Sequence, residues 1–287
     1  MTEANLDVAL VRRVVRAALE EDGAFQDVTT LSTVPPDQRG RGEFLSKDTG
    51  VLAGMPLVRA AFEAVDPRIE LRAALEDGSA LEYGSIIGQV EGPLASILSA
   101  ERIGLNFLQR LSGTATLTRQ LVDVVAGLPT RVVDTRKTTP GLRALERYAV
   151  RVGGGHNHRF NLTDGVLIKD NHIAAGRSRG LTLGDVIASA REGVPHTLRI
   201  EVEVTSFEEA QEAVEAGAEV ILLDNMTPPE MARCVQMIAR RALTEASGGV
   251  TVDNAREIAE SGVDIISSGA LTHSARALDI SLNVQVA

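Results

Sequence analysis

LRIEVEVTSFEEAQEAVEAGAEVILLDNMTPPEMARCVQMIARRALTEASGG, residues 198–249, is the stretch that decides the fold. Short apolar runs at 198–204, 219–223 and 242–244 read as strands, and the amphipathic stretches 207–216 and 229–240 between them read as helices. Repeated strand–helix units with near-continuously apolar strands predict a parallel sheet covered by helices. Polar residues stand where each strand ends: Glu203, then Asp224, then Glu245 with Ser247 and Gly248, then Ser268 and Gly269 after a further strand at 263–266. Positions 203, 224, 245 and 269 recur every 21, 21 and 24 residues, one compact βα unit each. In a barrel such ends converge on one face, and that face is where catalysis is built.

Working outward, strands at 131–134 and 165–168 and helices at 142–150, 183–192 and 254–261 complete six strand candidates between Thr130 and Thr272. An eight-fold barrel typically needs roughly 200 residues or more, so the span predicts an incomplete α/β barrel of six or seven strands. An open doubly wound sheet is the alternative, because sequence period does not distinguish closure. Upstream, residues 5–21 place Leu6, Leu10, Val14, Ala17 and Ala18 on one helical face. Extended segments at 42–46, 51–53, 69–74 and 86–92, with a helix at 58–65, predict a small, largely antiparallel sheet carrying helices. Two helical runs follow, 94–110 and 114–125, and place a domain boundary between residues 1–112 and 113–274.

The chain has 287 residues, 44% of them hydrophobic, and a net charge of -10, so it can bury a full core in two domains. Its one cysteine, Cys234, lies in a helical pattern and excludes a disulfide framework, which fits a reducing cytoplasm. No run of 18 apolar residues and no basic-then-apolar leader occurs, so neither membrane spanning nor export is expected. The acidic balance, with no tryptophan and 3% aromatics, argues against a nucleic-acid surface.

Against that acidic background, residues 131–159 hold seven basic side chains and two acidic ones. Of only three lysines in the chain, Lys137 and Lys169 lie at strand ends in or near this stretch, beside Arg136. The simplest reading is a site for a small polyanion; a solvated basic face with a helical Arg143–Glu146 pair is the plainer one. Ser247-Gly248-Gly249 precedes a helix expected near Thr251 and, with Ser268-Gly269, fits a phosphate site. Glu203 and Asp224 suit ribose hydroxyls or Mg2+ through oxygen ligands. Glu201 shares their face by strand alternation and stays a further candidate. His156, His158 and His172 invite a zinc reading, but no cysteine or HExxH helix supports it and Arg159 and Lys169 would repel a cation. His158 beside Arg159 reads better as a donor to an anion. His273 either caps a strand end near phosphate or packs, and Arg102 beside Glu101 is either functional or a solvent-facing pair. No GxSxG elbow or GxGxxG fingerprint is present.

Read together, DVTT at Asp27, DTRKTTPGLR at Asp134, GGGHNHR at Gly153, LIKDNH at Leu167, EVEV at Glu201, LLDN at Leu222, SGG at Ser247 and SGALTHS at Ser268 resemble the quinolinate phosphoribosyltransferase family. The motifs run in order over almost the whole chain. The resemblance implies an N-terminal α/β sandwich, joined by the tail 275–287, followed by the barrel, in a homodimer whose sites each receive Arg102 from the partner subunit. It implies the substrates quinolinate and phosphoribosyl pyrophosphate, and Mg2+ held at Glu203 and Asp224 directly or through the pyrophosphate substrate. Quinolinate falls to Arg102, Arg136, His158, Arg159 and Lys169, and phosphate to Lys137, Ser247, Gly248, Gly269 and His273. Lys137, Lys169, Glu203 and Asp224 are the implied catalytic residues. Two departures are His156, where relatives often carry a smaller or apolar residue, and Glu245-Ala246-Ser247 before the glycine pair; neither touches these assignments. Molybdenum-transport-linked relatives on the same scaffold are one alternative function, and a non-catalytic barrel that senses a phosphorylated metabolite is another.

Overall fold

The computed structural model describes residues 6–286, which form two compact units, 6–119 with 139–154 and 275–286, and 120–138 with 155–274. In the first unit, α1 (Val8–Glu21), α2 (Val28–Thr33) and α3 (Met55–Val65) accompany strands β1 (Arg39–Ser46), β2 (Gly50–Val51), β3 (Glu70–Ala73), β4 (Ala80–Leu81) and β5 (Ile86–Pro93). The helix expected from Asn5 begins at Val8, where Asp7 accepts the Ala9 N–H as a cap; Asn5 lies outside the described residues. The C-terminal strand β12 (Ile280–Val286) pairs antiparallel with β1, giving a four-stranded sheet in the order β12-β1-β5-β3. Phe44 and Phe62 meet edge-to-face at 5.9 Å within its core.

The two helical runs expected around residue 112 are one helix, α4 (Leu94–Val124), of 31 residues. Gly113 lies within it. A Cβ there would lie 2.0 Å from the Arg276 carbonyl oxygen, so the glycine admits the returning tail against the helix. Gly113→Ala should lower stability by about 1–3 kcal/mol through this backbone clash, read as a fall in thermal midpoint. Helix α5 (Arg143–Val152) belongs to the same unit, its Leu145 and Ala149 packed in a cluster with Val11, Val15 and Leu19. The expected Arg143–Glu146 surface pair gives way to a buried role for Glu146. Its carboxylate accepts from Arg110 at 3.2 Å, the Thr139 N–H at 2.9 Å and the Thr139 hydroxyl at 2.7 Å.

The second unit carries β6 (Arg131–Val133), β7 (Val166–Ile168), β8 (Ile200–Val204), β9 (Val220–Asp224), β10 (Leu243–Ser247) and β11 (Ile265–Ser267). Between them run α6 (Asp170–Arg177), α7 (Leu183–Gly193), α8 (Phe207–Glu215), α9 (Pro228–Ile238) and α10 (Ala255–Glu260), and α11 (Ala270–His273) follows β11. Local chemistry starts these helices: Ser206 caps α8, and Thr227 with Glu230 forms a capping box on α9, whose first residue is Pro228. All six strands are parallel, in the order β6-β11-β10-β9-β8-β7. From β7 to β11 and on to β6 the order never reverses, so there is no switch point and the doubly wound alternative is excluded. The sheet is the incomplete six-stranded barrel. Among the described residues β6 and β7 do not pair; instead His156 bridges Val133 on β6, and three residues on Arg159 Nη1 donates to the Gly165 oxygen, 2.8 Å away, beside β7.

Candidate active site

The strand ends surround a cavity of about 610 Å³ lined by most of the residues singled out above. Register explains the meeting: Asp224 at the end of β9 lies beside Ser247 at the end of β10, and Glu203 on β8 lies beside Leu222 on β9. A larger hollow, about 1000 Å³, opens at the opposite strand ends beside Arg199, Glu219 and Arg240 and contains none of them.

Arg136, Lys137, His158, Arg159 and Lys169 line one side of the basin. Burial first, then the nearby Arg136 charge, lower the Arg159 pKa, and the Arg136 Nε is buried with no protein acceptor. Two guanidinium groups held together in this way favour an anion between them. Lys169 Nζ lies 2.5 Å from Glu203 Oε2 and so joins the cationic side to the acidic one. The His172 ring is not available to a metal with His158, because its Nδ1 accepts the Lys169 N–H at 2.9 Å.

On the opposite side, Asp224 accepts from Asn225 Nδ2 at 2.7 Å. Asn225 stands in the left-handed region, φ 55°, with its N–H on the Ser247 oxygen at 2.9 Å. A Cβ at Gly248, φ 92°, would meet Asn225 Oδ1 at 2.2 Å and Cγ at 2.6 Å. Asn225 thus braces the acid of β9 against the glycine turn of β10, a role the sequence reading did not assign. The helix expected near Thr251 starts at Ala255, so the turn offers its own N–H groups rather than a helix end. Gly269 and His273 do not line the basin. Gly269 instead lets the Lys137 side chain and the His273 ring approach, each within 3.1 Å of where a Cβ would be, and the Thr272 hydroxyl donates to the Lys137 oxygen at 2.8 Å.

Below the basin, Glu201 and Glu245 are 6% and 2% exposed. His158 Nε2 lies 3.3 Å from Glu201 Oε2 and 3.4 Å from Glu245 Oε2. Its Nδ1 accepts the Arg159 N–H at 2.8 Å, and its own N–H donates to Asp134 Oδ1 at 2.9 Å. Burial opposes a charge on this ring, but the hydrogen bonds and charges of Glu201 and Glu245 outweigh it and push the pKa up to about 10. The second proton would sit on Nδ1, where the Arg159 N–H already donates, so in this geometry the ring is neutral with its proton on Nε2. Burial and the neighbouring Glu245 raise Glu201, with His158 acting in the opposite direction. The three side chains are close enough to hold a metal ion, yet with Nδ1 accepting, the ring proton is on Nε2 and the nitrogen facing the carboxylates has no lone pair to give. The sequence marks Glu245 as a strand-end residue and opens a motif at Asp134 but gives neither a role; strand alternation sets Glu245, two residues before Ser247, facing the same way.

Arg102 is exposed on α4 in the first unit. Near it in sequence, the Ser99 hydroxyl donates to Asp27 Oδ2 at 3.1 Å, and Asp27 caps α2, where Val28 and Leu31 are 77% and 71% exposed.

Residues 27–112 and 114–283 match the N-terminal and C-terminal domains, respectively, of quinolinate phosphoribosyl transferase. A probable nicotinate-nucleotide pyrophosphorylase [carboxylating] of Bacillus subtilis (strain 168) is 42% identical over 264 residues, 92% of this chain and 90% of that protein. The mitochondrial quinolinate phosphoribosyltransferase [decarboxylating] 2 of Nicotiana glauca is 40% identical over 290 residues, 96% of this chain and 82% of the relative. The crystal structure of NadC from Streptococcus pyogenes superposes with a TM-score of 0.93 at 38% identity, covering 99% of both chains.

Proposed function

The chain belongs to the quinolinate phosphoribosyltransferase family, and on that premise we propose how its strand-end basin carries out the family's reaction. The enzyme transfers a phosphoribosyl group from phosphoribosyl pyrophosphate to quinolinate with loss of CO2, giving nicotinate mononucleotide and pyrophosphate. The names of its relatives fit this reading rather than the molybdenum-linked one. The observation that carries the mechanism is the division of one cavity into a cationic side and an acidic, glycine-turn side.

Arg136 and Arg159, with Arg102 of the partner subunit, hold the two adjacent carboxylates of quinolinate in paired charge-assisted bonds. The buried Arg136 Nε supports this, since a carboxylate would supply its missing acceptor. His158 accepts the Arg159 N–H on Nδ1 and so sets Arg159 in place, and Lys169 spans to the ribose side through Glu203. Lys137, with Gly269 packed against it and His273 on the same glycine, faces phosphoryl oxygens; Ser247 and the Gly248 turn take the 5'-phosphate. Glu203 and Asp224 hold the ribose hydroxyls, and their hard oxygen donors would also suit Mg2+, which would supply charge neutralisation for the pyrophosphate group.

The C1–oxygen bond breaks with its electron pair leaving on pyrophosphate, and the pyridine nitrogen lone pair forms the new bond to C1. The C2–carboxylate bond then breaks, its pair stays on C2 beside the positive ring nitrogen, and a proton adds there. Positioning and fixed charge supply most of the barrier lowering, and no covalent nucleophile is needed. A homodimer accounts for Arg102 and for the exposed Val28 and Leu31 nearby in the fold. The single buried Cys234, and the lack among the described residues of any helix long and apolar enough to cross a membrane, support a cytoplasmic location.

Purified protein incubated with quinolinate, phosphoribosyl pyrophosphate and Mg2+ should form nicotinate mononucleotide and CO2, and chelation should stop turnover until Mg2+ is restored. Acceptance of nicotinate in place of quinolinate would sink the substrate assignment. Gly248→Ala, strained by φ 92° and by its contact with Asn225, should raise the KM for phosphoribosyl pyrophosphate roughly 10-fold or more while leaving that for quinolinate nearly unchanged. Steady-state kinetics with each substrate varied in turn measures this.

A further inference from the structure

Two nearly fully buried carboxylates beneath a site for a doubly anionic substrate need a reason. Taking a carboxylate out of water costs several kcal/mol, and a packed barrel interior is satisfied more cheaply by an apolar side chain. Glu201 and Glu245 both face the one ring that carries the basin's floor. His158, Arg159 and Glu245 line the 610 Å³ basin and also a second hollow of about 530 Å³ below it, so this layer divides the two.

We propose that Glu245, together with Glu201, is a positioning residue for the transfer reaction: the pair grips His158 Nε2 from below and thereby fixes both His158 and Arg159 for the dicarboxylate. This rests on the reading of the basin given above. His158 is pinned at four points: Glu201 and Glu245 at Nε2, the Arg159 amide at Nδ1, and Asp134 at its backbone N–H. Arg159 follows directly in the chain, and its guanidinium is held at the Gly165 oxygen. The other charged groups facing this layer are Arg136 and Asp164, both near Arg159. Glu245 spends one carboxylate oxygen on His158, while the other, Oε1, is buried without a protein donor. A structural carboxylate would have both oxygens satisfied. One that holds the His158 ring by its Nε2–H and offsets the mutual repulsion of Arg136 and Arg159 before substrate arrives needs only its charge and its place.

The test is Glu245→Gln and Glu201→Gln, isosteric changes that keep the packing, with circular dichroism and melting to establish folding. Each should raise the KM for quinolinate roughly 10-fold or more, leave that for phosphoribosyl pyrophosphate within about 2-fold, and change kcat less than the quinolinate KM. Nitrogen-15 NMR of labelled histidine in the unliganded enzyme gives a second readout, with the His158 signals assigned by their loss in His158→Asn. Wild type should show the proton on Nε2, and both glutamine variants should shift those signals. The proposal is overturned if the two KM values move together, or if the His158 nitrogen signals are the same in wild type and both variants. Should wild-type enzyme not turn over quinolinate, the functional reading fails, and the NMR comparison still decides whether the carboxylates hold the ring.

Discussion

Arg159→Ala is expected to lower kcat/KM for quinolinate roughly 30-fold or more, since truncating one member of a desolvated charge pair costs about 2–5 kcal/mol. The guanidinium lies beside Arg136 and is held in place by the Gly165 oxygen at 2.8 Å, so it is fixed before an anion arrives. Arg159→Lys keeps a charge but loses the planar fork and should recover only part of the loss. Kinetics with each substrate varied separate this from general damage: the defect belongs to quinolinate, and an equal rise in the KM for phosphoribosyl pyrophosphate would contradict the assignment. A modest fall in thermal midpoint should accompany the change, because the same side chain links the segment beside β6 to the start of β7.

Arg102→Ala and Lys169→Ala should each be nearly inactive alone, and refolding the two together should restore activity to about a quarter of wild type. The figure follows from random pairing in a two-fold dimer, where about half of the dimers are mixed and each mixed dimer rebuilds one of two sites. Lys169 sits in the basin on Glu203, whereas Arg102 is an exposed residue of α4 in the other unit. If Arg102 acts within its own chain, every site in the mixture carries one lesion and no recovery occurs. Size measurements on both variants check that the dimer itself survives.

Much of this was legible in the residues. The strand-end rhythm at 203, 224, 245 and 269 marks a parallel sheet of βα units, because strands buried on both faces must be apolar until they reach the catalytic rim. Of the basic island at 131–159, Arg136, Lys137 and Arg159 line the strand-end basin, whereas Arg143, Arg147 and Arg151 lie on α5 in the first unit. Helix limits and packing partners were less legible. The two runs at 94–110 and 114–125 are one helix, and Gly113 between them is a contact point for the tail at Arg276, far away in sequence. The helix expected at 142–150 falls within the span 113–274 given to the barrel, but its Leu145 and Ala149 complete the core of the first unit.

By itself, then, the sequence determined the α/β class, the parallel strands and the residue types of the basin, because periodicity and charge are properties of neighbours along the chain. Only the tertiary structure decided closure and support. Strand order excluded the open sheet, register placed Asp224 beside Ser247, and the left-handed Asn225 was found bracing Gly248. It also set Glu201 and Glu245 on either side of the His158 Nε2, a contact between residues 43 and 87 positions apart that no local pattern encodes, since it depends on β8 and β10 curving toward the segment beyond β6.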